Sequence, residues 1–159
     1  MTIKDTDALV IVDLQNDFCP GGALAVPDGD QVILPLNRIV RSFRTIITSQ
    51  DWHPANHCSF KQQGGFWPPH CIAGQPGAEL RSDLQVPPGT LAVHKADAAD
   101  QDAYSAFDGT GLADWLREKN VERIFVTGLA TDYCVKATAL GGIKNGFNVV
   151  VLQDAIAGP

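Results

Sequence analysis

The sequence predicts a three-layer α/β/α domain built on a mostly parallel central sheet, and three observations lead there. Five short apolar runs, Ala8 to Val12, Thr45 to Ser49, Thr90 to His94, Ile124 to Val126 and Asn148 to Leu152, are separated by helical patterns or long crossovers. That alternation sets successive strands parallel, with the connections covering the faces of the sheet. The first run is continuously apolar rather than alternating, as strands buried on both faces tend to be. Finally, chemically capable residues follow four of the runs: Asp13, Asp51, Lys95 and, a turn later, Cys134. Ligands bind parallel sheets beyond the carboxyl ends of the strands, so these four side chains are expected on one rim.

Each element has its own signal. After the first strand comes a Gly/Pro-rich loop, Cys19 to Asp30. Val32, Ile33, Leu36, Ile39, Val40 and Phe43 then repeat at helical spacing, predicting a helix that ends near Arg44. Pro35 fits that helix only within its first turn. The second strand stops at Asp51-Trp52-His53-Pro54, and no periodic element follows until Pro88. A stretch that long without regular structure usually carries function. Leu112, Trp115 and Leu116 mark a helix with Thr110 as its cap. The fourth strand leads through a turn at Gly128 to Asp132 into a helix with Cys134 in its first turn, closed by Gly146.

Composition narrows the function. The 159 residues suit a single domain spanning 1–159, and 45% hydrophobic with 19% charged residues is ordinary for a globular protein. A net charge of −6 and a pI near 5.0, with Lys and Arg scattered, give no footprint for nucleic acid; a small polar substrate fits better. The apolar run near the N-terminus is too short for a signal peptide and nothing approaches a membrane span, so a cytoplasmic protein without membrane contact is expected. The four cysteines show no C-x-x-C pair and are expected as free thiols.

Two constellations carry chemistry. In the first, Cys134 at a helix start is expected to have a depressed pKa and free N–H groups nearby for an oxyanion. Asp13 is suited to take the thiol proton and return it to a leaving group, with Lys95 as electrostatic partner. In the second, Asp51-x-His53 sets two side chains on one side of an extended segment, and His70 returns from the loop as a third ligand for a divalent metal. His57 lies in the same cluster. His94 belongs to a strand and is expected as a hydrogen-bonded structural residue. Phe18, Trp67 and Tyr104 are either loop anchors or walls for a flat aromatic substrate.

Read together, IVDLQNDFCPGGAL (Ile11 to Leu24), SQDWHPANHCSF (Ser49 to Phe60), FWPPHC (Phe66 to Cys71), VHKADAADQDAYSAF (Val93 to Phe107) and VTGLATDYCVKATA (Val126 to Ala139) closely resemble nicotinamidases of the isochorismatase-like hydrolase superfamily. The resemblance implies that fold and the hydrolysis of nicotinamide to nicotinic acid and ammonia through a cysteine thioester, with pyrazinamide as a surrogate substrate. It assigns Cys134 as nucleophile, Asp13 as proton shuttle, Lys95 beside them, and the Ala130 and Cys134 N–H groups as oxyanion hole. It gives Asp51, His53 and His70 to one divalent metal, zinc first, with iron or manganese as alternatives. His57 matches a position that ligates metal in only some members, and Phe18, Trp67 and Tyr104 match positions around the substrate ring. A cis peptide bond is implied between Leu129 and Ala130. Another small amide as substrate, an ether hydrolase of the isochorismatase type, and a non-catalytic metal or ligand binder are the competing readings.

The resemblance departs at one place. Family members usually continue past DAIAG through a further helix and an edge strand, whereas this sequence stops at Pro159. The uncovered flank is expected to recruit a second copy, giving a homo-oligomer, or to aggregate.

Overall fold

The computed structural model describes all 159 residues. Five strands, β1 (Asp7–Val12), β2 (Thr45–Asp51), β3 (Leu91–Lys95), β4 (Arg123–Leu129) and β5 (Asn148–Ala157), form one sheet in the order β3-β2-β1-β4-β5. Every pairing is parallel. The strand order reverses direction between β1 and β4, and such a switch point is where a parallel sheet opens a crevice for ligands.

The faces follow from the period of a strand. On β1, Leu9 and Ile11 point to the side covered by α1 (Ile33–Ile39), where they cluster with Leu36, Val40 and Phe43. Ala8, Val10 and Val12 point the other way, toward Leu112 and Leu116 of α2 (Leu112–Glu118) and Val135, just ahead of α3 (Lys136–Lys144). These positions are nearly all fully buried, and each large one contributes about 1.5–3 kcal/mol. Leu36→Ala would forfeit about 2–5 kcal/mol by leaving a cavity under α1.

Several element boundaries differ from the sequence reading. The helix expected from Val32 to Arg44 is three pieces: a 3₁₀ turn at Gly29–Val32, α1, and a second 3₁₀ turn at Val40–Ser42. In a 3₁₀ turn residues three apart eclipse, which brings both Val40 and Phe43 onto the sheet, where Phe43 meets Phe125 edge-on at 5.2 Å. Pro35 is the third residue of α1 and so lies in its first turn. At α2 the cap position is Gly111, not Thr110; the Thr110 hydroxyl lies one residue earlier, donating to the Ala106 carbonyl and accepting from the Leu112 N–H at 3.3 Å. Cys134 lies not in the first turn of α3 but in a π-helical turn, Thr131–Val135, that precedes it. From Trp52 to Thr90 only two short 3₁₀ turns and isolated bridges interrupt the loop. All four cysteines are free, and no helix is long and apolar enough to cross a membrane.

Candidate active site

Four strand ends, those of β1, β2, β3 and β4, come together beside the switch point. The chain leaves β1 at Asp13 with φ 50°, a left-handed conformation that turns the carboxylate back over the sheet. Next to it β4 presses so closely that a Cβ at Gly128 would lie 2.1 Å from the Val12 carbonyl oxygen, and φ there is 106°. Only glycine satisfies both conditions. Asp13 Oδ1 accepts from the Ser49 hydroxyl at 2.7 Å, while Oδ2 lies 2.8 Å from Lys95 Nζ. That contact is not aligned as a hydrogen bond, and Asp13 Oδ2 is left without an aligned donor.

Lys95 is the centre of the cluster. Its ammonium is fully buried, bonded to Asp51 Oδ1 and 3.3 Å from Cys134 Sγ. Burial alone would lower its pKa, but the Asp13 and Asp51 carboxylates outweigh that and hold it well above the ordinary value. The same ammonium, with help from His53, keeps Asp51 ionised against its own burial. For Cys134 the sequence expectation fails. Burial pushes the thiol well above its usual pKa; Lys95 opposes this, and Asp13 and Asp51 add to it. A helix start and one cation would favour a thiolate, but burial, and two carboxylates that share that cation, favour the neutral thiol. Asp13 is raised too, chiefly by burial, and so has an increased appetite for the proton.

On the far side of Asp51 the second constellation assembles. Asp51 Oδ2 faces His53 Nε2 at 3.5 Å and His70 Nε2 at 3.9 Å, and the three ligand atoms lie within 4.8 Å of one another. Ligands about 2 Å from one ion stand roughly 3–4 Å apart, so the set fits a divalent metal. Each imidazole is already oriented for that task. His53 Nδ1 bonds the Ala96 carbonyl at 2.9 Å and His70 Nδ1 the Pro68 carbonyl at 2.8 Å, directing both Nε2 atoms inward. Ala96 (φ 54°) and Cys71 (φ 48°) are left-handed, so disfavoured backbone gathers around the ligands.

His57 lies outside that cluster. Its Nδ1 bonds Ser59 Oγ and its Nε2 the Gln101 carbonyl, both at 2.7 Å, and its ring stacks on His53 at 4.1 Å. It stands behind His53 with the two rings nearly parallel. His94 also departs from expectation: it is exposed and makes no hydrogen bond, and its ring stacks on Trp52 at 4.1 Å.

Asp51, His70 and Cys134 open into one cavity of about 270 Å³, walled by Phe18, Trp67 and Tyr104. The Trp67 indole N–H donates to the Tyr104 hydroxyl at 3.3 Å. Sequence reasoning missed Tyr133, which meets Trp67 edge-on at 5.4 Å, and Leu24 and Val26, which also line the cavity. Its position beside the thiol was the available signal for Tyr133. The peptide bond between Leu129 and Ala130 is cis, and the Ala130 N–H makes no hydrogen bond within the chain. A larger depression of about 450 Å³ at the opposite end of the sheet, near Arg44 and Trp115, contains none of these groups.

A family model described as the isochorismatase domain matches residues 7–159. The nicotinamidase of Escherichia coli K12 is 42% identical, with 95% of this chain and 83% of that protein covered. The pyrazinamidase of Pyrococcus horikoshii, solved in complex with zinc, superposes with a TM-score of 0.93 at 46% identity, covering 96% of this chain and 87% of its own. PnC1 from L. infantum, solved in complex with nicotinate, gives 0.94 at 41% identity over 99% of this chain and 84% of its own. A match across almost every residue, with close relatives in sequence and in structure, places the chain in the isochorismatase family.

Proposed function

We propose that this protein is a nicotinamidase, hydrolysing nicotinamide to nicotinate and ammonia, with pyrazinamide as a surrogate substrate, in a cytoplasmic salvage role. The observation that carries this reading is the shared Lys95: the Cys134 thiol and the Asp13 and Asp51 carboxylates converge on one buried ammonium, and Cys134 and Asp51 open from there into an aromatic-walled cavity. The E. coli relative and the nicotinate-bound neighbour support the choice of substrate.

Asp51, His53 and His70 would hold a divalent metal, zinc by preference given the zinc-bound relative, which would supply Lewis acidity to the site. The remaining steps belong to the chain. Phe18, Trp67 and Tyr104 hold the ring and exclude water. Asp13 takes the thiol proton as Cys134 Sγ bonds to the carboxamide carbon. Oxygen gains the π electrons of the carbonyl, and the Ala130 and Cys134 N–H groups stabilise it. Collapse breaks the C–N bond, and Asp13 delivers its proton to nitrogen, releasing ammonia and leaving a nicotinoyl thioester. Asp13, ionised again, deprotonates a water that adds to the thioester; the C–S bond breaks and the proton returns to sulfur. Throughout, Lys95 keeps the buried charge balanced, so the thiolate exists only while Asp13 is protonated.

Ammonia release from nicotinamide by the purified protein tests the reaction. Mass spectrometry of enzyme quenched during turnover should show a nicotinoyl adduct on Cys134. Substantial activity in Cys134→Ala would sink the thioester mechanism.

A further inference from the structure

Asp17 is absent from the cavity wall and from the ligand set, yet both lean on it. It lies in the 3₁₀ turn Asn16–Phe18, soon after β1 ends. Its Oδ2 accepts from the Cys71 N–H at 2.8 Å, one residue past His70. Its Oδ1 accepts from the Ala23 N–H at 3.2 Å, and its backbone carbonyl from the Leu24 N–H at 2.9 Å. Leu24 and the following residues to Pro27 line the same cavity as Trp67 and Tyr104.

A third loop shows that the carboxylate has a built seat. A Cβ at Gly77 would lie 2.2 Å from Asp17 Oδ2 and 2.4 Å from Asp17 Cγ. The Gly77 backbone does not have a positive φ, so its conformation does not demand glycine. The space for the Asp17 carboxylate does. Cys71 meanwhile holds the left-handed φ of 48°, which a β-carbon disfavours, and its N–H is anchored by that same carboxylate.

We propose that Asp17 is a positioning residue that ties the metal-ligand loop to the substrate wall, one carboxylate oxygen for each. The inference rests on the functional reading above, in which His70 is a metal ligand and the cavity takes the substrate. Charge-assisted bonds from a carboxylate to backbone N–H groups are strong and directional, and residues behind a ligand commonly set metal affinity by 10–100-fold. Asp17 thereby fixes the distance between His70 and Leu24, and with it the width of the cavity.

The test measures zinc affinity by competition with a chromophoric chelator, alongside kcat and KM for nicotinamide. Asp17→Ala removes both carboxylate ties, leaving only the backbone bond to Leu24, and should weaken zinc by about tenfold or more and raise KM severalfold. Asp17→Asn keeps one acceptor, which the more buried Cys71 N–H should claim; zinc affinity should return to within about threefold of wild type while KM stays raised. Gly77→Ala leaves Asp17 chemically intact but displaces its carboxylate, and should weaken zinc about tenfold. Leu36→Ala, matched for thermal midpoint, reports general destabilisation and should leave zinc affinity unchanged. Wild-type zinc affinity in Gly77→Ala and Asp17→Ala would overturn the proposal, as would an equal loss in Leu36→Ala or undiminished binding in His70→Ala. If Asp17→Ala does not fold, Gly77→Ala and Asp17→Asn decide the matter. The expected zinc shifts without any ammonia release would support the positioning role and refute the nicotinamidase reading.

Discussion

The Gln15 side chain pairs with both backbone groups of Asp51: Nε2 donates to the carbonyl at 2.8 Å and Oε1 accepts from the N–H at 2.9 Å. β1 has left the sheet by Asp13, so the carboxamide takes the place of a neighbouring strand and keeps the end of β2 in line. Its second Nε2 bond, to the Ala78 carbonyl at 2.8 Å, extends the clamp to the long loop. Gln15→Met keeps the volume and removes every bond. Buried groups left unpaired cost about 1–3 kcal/mol each, so stability in urea should fall by about 3 kcal/mol. A loss below about 1 kcal/mol would show the pairing to be dispensable.

Metal content should follow the ligands and not the thiol. Purified His53→Ala and His70→Ala should lose stoichiometric metal, while Cys134→Ala retains it. His57→Phe should also retain it, because both His57 nitrogens are occupied by protein partners. Elemental analysis decides this, and the reverse pattern would move the site.

Lys95→Met should damage stability and catalysis together. Asp13 and Asp51 would face each other in the interior without their cation, and breaking a buried pair costs about 3–5 kcal/mol. Removing the electrostatic partner of a proton shuttle should lower kcat by about a hundredfold or more. Adding Asp13→Asn should recover part of the stability and none of the activity. Denaturation and ammonia release would read the two effects separately.

At the far end of the sheet, Arg123 grips the buried Asp7 carboxylate with two bonds of 2.7 Å. The Arg123 hydrogen bonds hold Asp7 below its ordinary pKa of 3.8, against its burial. The unfolded chain therefore binds the proton first as the medium acidifies. The stabilisation is complete above that unfolded value and is lost as pH falls through the lower folded one. Asp7→Asn should be less stable at neutral pH and lose less on acidification. Thermal melts across pH 2–7 would show whether the two curves converge at the acid end, as required.

How far the sequence could be read depended on whether a signal was local. Strand interiors such as Leu9 to Val12 announce themselves because burial on both faces demands unbroken apolar residues. Their ends did not, since Gln50 and Asp51 are polar and remain in β2 only through Gln15 on one side and β3 on the other. The cluster of Asp51, His53 and His70 was legible because Asp51-x-His53 is itself a geometry, and His70 stood nearby in sequence. The direction of the Cys134 shift was not legible: it depends on burial and on two carboxylates sharing one ammonium, which only folding brings about. For the same reason His57 stayed ambiguous until Ser59 and the Gln101 carbonyl were seen to occupy it.

Lys95 answers to both halves of the rim, and this has a consequence for descent. Neither half can drift alone. A lineage that discarded the thiol would still need the lysine to neutralise Asp51, and one that discarded the histidines would still need it for Asp13. The uncharged walls at Leu24, Trp67, Tyr104 and Tyr133 carry no such obligation. New substrates should therefore arise by exchange among those four positions, with the charged floor inherited whole.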